Sequence, residues 1–106
     1  MTAPSKELLI KVIGYKNPHP LEIEDSKLYL YKEAGENITT INIYELGHKC
    51  KDYIIRNNYS LHITHDTGGL DCRVIIYKKS VKEYFHENTE LESIFKACEW
   101  VLKETK

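Results

Sequence analysis

Two segments with helical periodicity, residues 42–58 and 89–104, enclose a segment in which apolar and polar residues alternate. In the later segment, apolar side chains recur at intervals of three and four, which is typical of a helix with one side in a core. These side chains are Leu91, Ile94, Phe95, Cys98, Val101 and Leu102. Thr89 and Glu92 form the sequence of a capping box at the start. Residues 89–104 are therefore predicted to form an amphipathic helix.

The earlier helical segment follows the same rules. Asn42 can cap its start, and Glu45 stands three residues later. One side of the helix carries apolar or small residues, namely Ile43, Leu46, Gly47, Cys50, Tyr53 and Ile54. Asn57 and Asn58 are expected to end the helix, because asparagine tolerates the left-handed backbone conformation.

Between the two helices the sequence has the period-two alternation of β-strands. The predicted strands are "YSLHITHD" (59–66), "CRVIIYKK" (72–79) and "SVKEYFHE" (80–87), with a turn at "TGG" (67–69). Alternation places Cys72, Val74 and Ile76 on one face of the sheet, and Val81 and Phe85 are predicted to face the same way. The opposite, outward face then carries Arg73, Ile75 and Tyr77.

The amino-terminal segment, residues 1–41, contains a helix or a strand followed by a hairpin. "SKELLIKVIGY" (5–15) fits a short helix capped by Ser5, and it also fits a buried strand, because the apolar run is short. If the segment is a helix, the side chains that face the core are Leu8, Leu9, Val12 and Ile13. "NPHP" (17–20) is predicted to end this helix or strand, because the residue before a proline avoids the helical region. The hairpin strands are predicted at "KLYLY" (27–31) and "NITTINI" (37–43), joined by "KEAGE" (32–36).

Together these elements predict a single α+β domain of 106 residues, without an internal sequence repeat. Its core, residues 42–104, has the order helix–strand–strand–strand–helix. In this core the two amphipathic helices cover one face of an antiparallel sheet. Residues 1–41 add the amino-terminal helix or strand and the hairpin.

The charge balance and the cysteine content limit the possible partners and the cellular compartment. Fifteen basic and sixteen acidic residues give a net charge of -1, so no strong overall attraction to nucleic acid or anionic lipid is expected. No apolar run approaches the roughly 20 residues of a membrane span, and the first residues do not resemble a signal peptide. The three cysteines are widely spaced and odd in number, which favours reduced thiols and a cytosolic location.

The histidines and cysteines do not form a metal site in this arrangement. On a helix His48 and Cys50 point roughly 200° apart, and on a strand His62 and His65 point to opposite faces. Cys50 and Cys98 lie in apolar stripes, where a thiol is a poor nucleophile. The sequence therefore predicts neither a metal nor a cofactor, and it predicts no enzymatic activity. "DTGGLD" (66–71) is interpreted as a hairpin turn.

One catalytic alternative can be formulated around His62. On the outward face of the sheet His62 could act as a general base, with Arg73 binding an anion and Tyr77 donating a proton. This hypothesis requires the three side chains to converge on one pocket, and an ordinary surface histidine is the favoured alternative.

Two features predict an interaction surface. Trp100 lies off the apolar stripe of its helix, so it either packs on the amino-terminal hairpin or contacts a partner. Arg73, Ile75 and Tyr77 share the outward sheet face, which is either covered by the amino-terminal segment or exposed as a binding patch. The leading prediction is a non-enzymatic accessory protein that binds another protein. The chain is also predicted to be able to form a homodimer.

A nucleic-acid-binding module is the alternative prediction. Its basic residues would be Lys49, Lys51 and Arg56 on the first long helix, with Lys78, Lys79 and Lys82 near the strand ends.

Two resemblances accompany these residues. The element order of residues 42–104 is similar to the double-stranded-RNA-binding domain, which implies recognition of RNA shape and phosphates. Two of that family's contact motifs are replaced, the Gly-Pro-x-His loop by "HDTGGLD" (65–71) and the lysine-rich helix start by "NTELES" (88–93). The phrases "INIYELGHKCKDYI" (41–54) and "ESIFKACEWVLKE" (92–104) resemble small uncharacterised bacteriophage and prophage proteins. This second resemblance implies a cytosolic accessory protein that acts by binding, with a host factor as a possible target.

Overall fold

The computed structural model describes residues 2–33, 35–65 and 72–105, and it contains three helical segments and six strands. In chain order the elements are α1 (Lys6–Leu8), continued by a π-helical turn (Leu9–Ile13), then β1 (His19–Glu24), β2 (Lys27–Tyr31), β3 (Ile38–Asn42), α2 (Ile43–Arg56), β4 (Ser60–His65), β5 (Cys72–Lys78), β6 (Val81–Glu87) and α3 (Glu90–Glu104). The α+β class and the helix–strand–strand–strand–helix order of the core are confirmed.

The strands form two separate antiparallel sheets of three strands each, in the orders β1-β2-β3 and β4-β5-β6. Each sheet is a meander, in which consecutive strands are hydrogen-bonded neighbours. Each is followed almost at once by a helix, because Asn42 ends β3 and caps α2, while Thr89 caps α3 two residues after β6. The chain is therefore built from two successive βββα units, although the sequence contains no repeat.

The amino-terminal segment is helical, which decides between the two sequence-based alternatives. The Ser5 hydroxyl accepts a hydrogen bond from the Leu8 amide at 3.2 Å, as predicted for an N-cap. Leu8 and Leu9 are buried. The helix ends at Gly14, whose φ of 97° lies in the left-handed region that glycine adopts without strain.

Strand β1 was not predicted, and it begins inside "NPHP", at His19. Pro20 lies within the strand, opposite Leu30 of β2. The pairing is compatible with proline because β1 is an edge strand, and its register shifts between Pro20 and Glu22. A third strand therefore joins the hairpin of β2 and β3, which the sequence did predict.

The main core lies where α2 and α3 pack together and where α3 lies along β5 and β6. The predicted stripe of α3 is buried throughout, and in α2 all of the stripe is buried except the half-buried Tyr53. Val74 and Ile76 are fully buried on the helix-facing side of β5. Val81 was predicted to face the core, and this is wrong, since its side chain is 45% exposed. Val81 begins an edge strand beside the β5–β6 turn.

Gly47 of α2 lies against Leu91 of α3. A Cβ atom at this position would stand 2.6 Å from Cδ2 of Leu91, closer than side chains pack. The missing side chain therefore permits the close contact of the two helices.

Cys50 of α2 and Cys98 of α3 are both fully buried. Their thiols form a hydrogen bond, which together with burial raises the pKa of the Cys50 thiol above its ordinary value. A thiol that holds its proton behaves as a small apolar side chain, in keeping with the predicted core role.

Three sequence-based predictions fall outside the described residues. The first is the turn at 67–69 within the segment 66–71. The other two are the directions of the His65 and Cys72 side chains. In the part of the chain that is described, no helix is long and apolar enough to cross a membrane.

The cap of α3 gives a first testable prediction. Thr89 Oγ1 accepts a hydrogen bond from the Glu92 amide at 3.1 Å and donates one to the Glu92 carboxylate at 3.3 Å. Thr89→Ala removes both bonds, and we expect the free energy of unfolding to fall by about 1 kcal/mol in urea denaturation. Thr89→Ser keeps the hydroxyl and should retain most of the stability; equal losses in both variants would contradict the capping role.

Candidate interaction surface

The sheet β4-β5-β6 has one face that points away from α3. This face carries nine side chains in three rows, and each row consists of one residue from each strand, paired across the sheet. The rows are Ser60–Tyr77–Lys82, His62–Ile75–Tyr84 and Thr64–Arg73–His86. We call these nine residues the outer array. Alternation along the strands puts them on one side, since the intervening residues Val74 and Ile76 are buried under α3.

The outer array is open to solvent. Tyr77 is 43% exposed and Tyr84 is 53% exposed. Arg73 is exposed as well, while Ile75 is half-buried between its neighbours. The amino-terminal segment therefore leaves this face uncovered, which resolves the alternative that the sequence left open for Arg73, Ile75 and Tyr77.

The charge on the outer array is of one sign. Arg73 and Lys82 are cations, and none of the nine positions, all within the described strands, is occupied by a carboxylate. Glu83 and Glu87 of β6 alternate with the array and belong to the other face. Lys82 Nζ lies 5.4 Å from the centre of the Tyr84 ring, within range of a cation–π contact.

The three residues of the catalytic hypothesis share this face without converging on one point. His62 lies directly across from Ile75, whereas Arg73 and Tyr77 lie on either side of Ile75 along the same strand. The Cα atoms of Arg73 and Tyr77 are about 14 Å apart at the usual rise of a strand. An isoleucine side chain thus occupies the centre where a reacting group would have to bind, so the arrangement suits contact with a surface better than proton transfer.

Trp100 lies on the opposite side of the sheet from the outer array. Its ring meets Tyr59 edge-on at 5.8 Å and Phe85 at 6.3 Å between ring centres. Both rings belong to the second sheet or to the residue before it, whereas the sequence suggested packing on the amino-terminal hairpin or contact with a partner. Trp100 is half-buried and packs against the hydrophobic core. It is not part of the outer array.

The six basic residues of the nucleic-acid alternative do not form one stripe. Lys51 Nζ lies 3.7 Å from the Glu90 carboxylate at the start of α3. Lys78 is at the other end of α2, where its ammonium donates to the Asn57 carbonyl at 3.2 Å. Lys82 belongs to the outer array, and the remaining residues of the set, exposed on α2 or at the β5–β6 turn, are Lys49, Arg56 and Lys79.

Two array residues, Tyr84 and His86, were missed by the sequence-based analysis. The strand that contains them was predicted, and its alternation gives their common face. Their position beside Ile75 and Arg73 depends on the register of β5 with β6, which the order of elements alone does not determine.

A concave site of about 300 Å³ lies between α2 and α3, away from the outer array. Gly47, Leu91 and the Lys51–Glu90 ion pair line it. Neither here nor elsewhere in the described ranges do three His, Cys, Asp or Glu side chains come close enough together to hold a metal ion.

Comparison with models of known protein families gave no match, and neither characterised protein sequences nor solved structures gave a significant one. The function is therefore inferred from the residues and their geometry.

Proposed function

We propose that the chain is a small non-enzymatic accessory protein that binds another protein through the outer array. The observation that supports this most directly is the exposure of Tyr77 and Tyr84 beside Ile75 and Arg73 on one sheet face. Tyrosine and arginine are enriched among the residues that dominate protein–protein binding energy. The Tyr77 and Tyr84 rings supply contact area while losing little conformational entropy, because each has only two rotatable side-chain bonds.

The proposed setting is the cytosol. Cys50 and Cys98 are buried free thiols on neighbouring helices, which suits a reducing compartment. The resemblance of residues 41–54 and 92–104 to bacteriophage and prophage proteins adds a host factor as the expected kind of partner. Nucleic-acid binding has weaker support, because its six basic residues are distributed over separate parts of the surface.

The experiment is affinity capture from a lysate of the source organism or its host with the tagged wild-type chain and the double variant Tyr77→Ala/Tyr84→Ala. We expect at least one protein to be recovered by the wild type and to be reduced about tenfold or more by the double variant, since each interface tyrosine can contribute more than 1 kcal/mol. The captured protein is then purified and its binary affinity measured with the same variants.

Tyr44→Ala is the matched control, because Tyr44 is a tyrosine of similar exposure, 58%, on α2. It should leave capture unchanged. Light scattering of the purified chain detects self-association, in which case the partner is a second copy. A monomeric wild type that recovers nothing beyond what the double variant recovers would contradict the proposal.

A further inference from the structure

We infer, on the basis of the proposed function, that the outer array recognises a short extended segment of the partner with two acidic residues four positions apart and an apolar residue midway between them. This assigns a chemistry to the partner from the placement of the two cations and of Ile75.

The two cations stand at opposite ends of the array. Arg73 is in one outer row and Lys82, paired with Tyr77, is in the other. The rows are separated by four residues of β5, or about 14 Å along the strands. An extended peptide covers the same distance in four residues, so carboxylates at its positions i and i+4 can reach both cations.

The spacing is consistent with the alternation of an extended chain. Residues i, i+2 and i+4 of a strand point to the same side, so both carboxylates and the residue between them face the sheet. Position i+2 falls over Ile75, which lies midway between Arg73 and Tyr77. Tyr84 flanks Ile75 in the same row. An apolar side chain at i+2 would therefore bury Ile75 and contact Tyr84.

The length of the array matches a short extended segment. Three strands about 4.8 Å apart and five residues of each make an area about 10 Å wide and about 14 Å long between Cα positions. An extended segment of five residues has the same length, so it reaches from one outer row to the other.

The charges also favour an acidic peptide over single-stranded nucleic acid. Nucleic acid can stack on aromatic rings such as Tyr77 and Tyr84. Non-specific nucleic-acid binding, however, derives its affinity mainly from cations that neutralise phosphates. The outer array has two permanent cations, and its centre is occupied by Ile75.

The test is selection from a displayed library of random peptides with the wild-type chain of 106 residues and with Arg73→Glu/Lys82→Glu. We expect wild type to enrich peptides with Asp or Glu at i and i+4 and an apolar residue at i+2. The charge-reversed variant should bind these peptides about tenfold or more weakly and should select Lys or Arg at the same two positions, because like charges now oppose each other.

Lys49→Glu/Lys103→Glu is the matched control, since it changes the net charge equally at two exposed lysines outside the array. It should keep the acidic preference. Peptides that need Tyr77 and Tyr84 but show no acidic preference would overturn this inference and leave the proposed function standing. An empty selection overturns it as well, and so does an oligodeoxythymidine probe that binds the array more tightly than any selected peptide.

Discussion

Replacing Phe95 with alanine is expected to lower the free energy of unfolding by about 3–5 kcal/mol. Phe95 is 4% exposed on the inner side of α3, in the cluster that joins the two long helices to β5. Its truncation removes the burial of an aromatic ring and leaves a cavity that the neighbouring helices can fill only in part. Each kcal/mol should reduce Tm by about 4–8 °C in a domain of this size.

The neighbouring residue supplies the control. Lys96 is exposed one position further along α3, and Lys96→Ala should change the free energy of unfolding by less than about 0.5 kcal/mol. Chemical denaturation of both variants checks the expectation. Equal stability of the Phe95 and Lys96 variants would show that α3 presents a different face to the core.

Cys50 and Cys98 are expected to react with iodoacetamide at least about a thousandfold more slowly in the native protein than in denaturant, because a domain stable by several kcal/mol seldom opens. Both thiols are fully buried. Their mutual hydrogen bond and burial also raise the pKa of Cys50, which depletes the thiolate that attacks the reagent.

Peptide mapping by mass spectrometry measures the rate at each cysteine separately. The denatured chain is the internal reference, since Cys50 and Cys98 should then react at similar rates. Phe95→Ala should increase both native rates if the thiols become accessible through opening of the α2–α3 interface. Rapid native labelling of Cys50 or Cys98 would contradict their placement between the helices.

Short-range sequence patterns predicted most of the fold. The capped, amphipathic helices α2 and α3 could be predicted because Asn42 and Thr89 act within one turn and the apolar stripes repeat within a few residues. Strand β1 was missed because Pro20 normally interrupts strands, and only its edge position makes it compatible. Whether a strand lies at the edge is determined only in the assembled sheet, so the local sequence around Pro20 does not show it.

The interaction surface was predicted in part for the same reason. Alternation within one strand was sufficient to place Arg73, Ile75 and Tyr77 on one outward face. The contribution of Tyr84 depends on pairing between strands, and the position of Trp100 depends on how α3 lies over Tyr59 and Phe85. Tertiary contacts of this kind leave no periodic signal in the sequence.

The two successive βββα units have a consequence for how copies of the chain can combine. Residues 57–59 are the only covalent link between α2 and β4, and they fold back tightly, with Asn58 at a φ of 68° and the Tyr59 amide bonded to the Ile54 carbonyl at 3.3 Å. A short hinge in an unusual backbone conformation is the kind of link at which proteins exchange units between molecules, because an extended hinge relieves the strain. In the exchanged form α3 of one molecule would pack on α2 of another, with the same contacts as in the closed chain. Residues 57–59 are therefore the place where a change in the length or conformation of the link would shift the balance between the closed chain and an exchanged dimer.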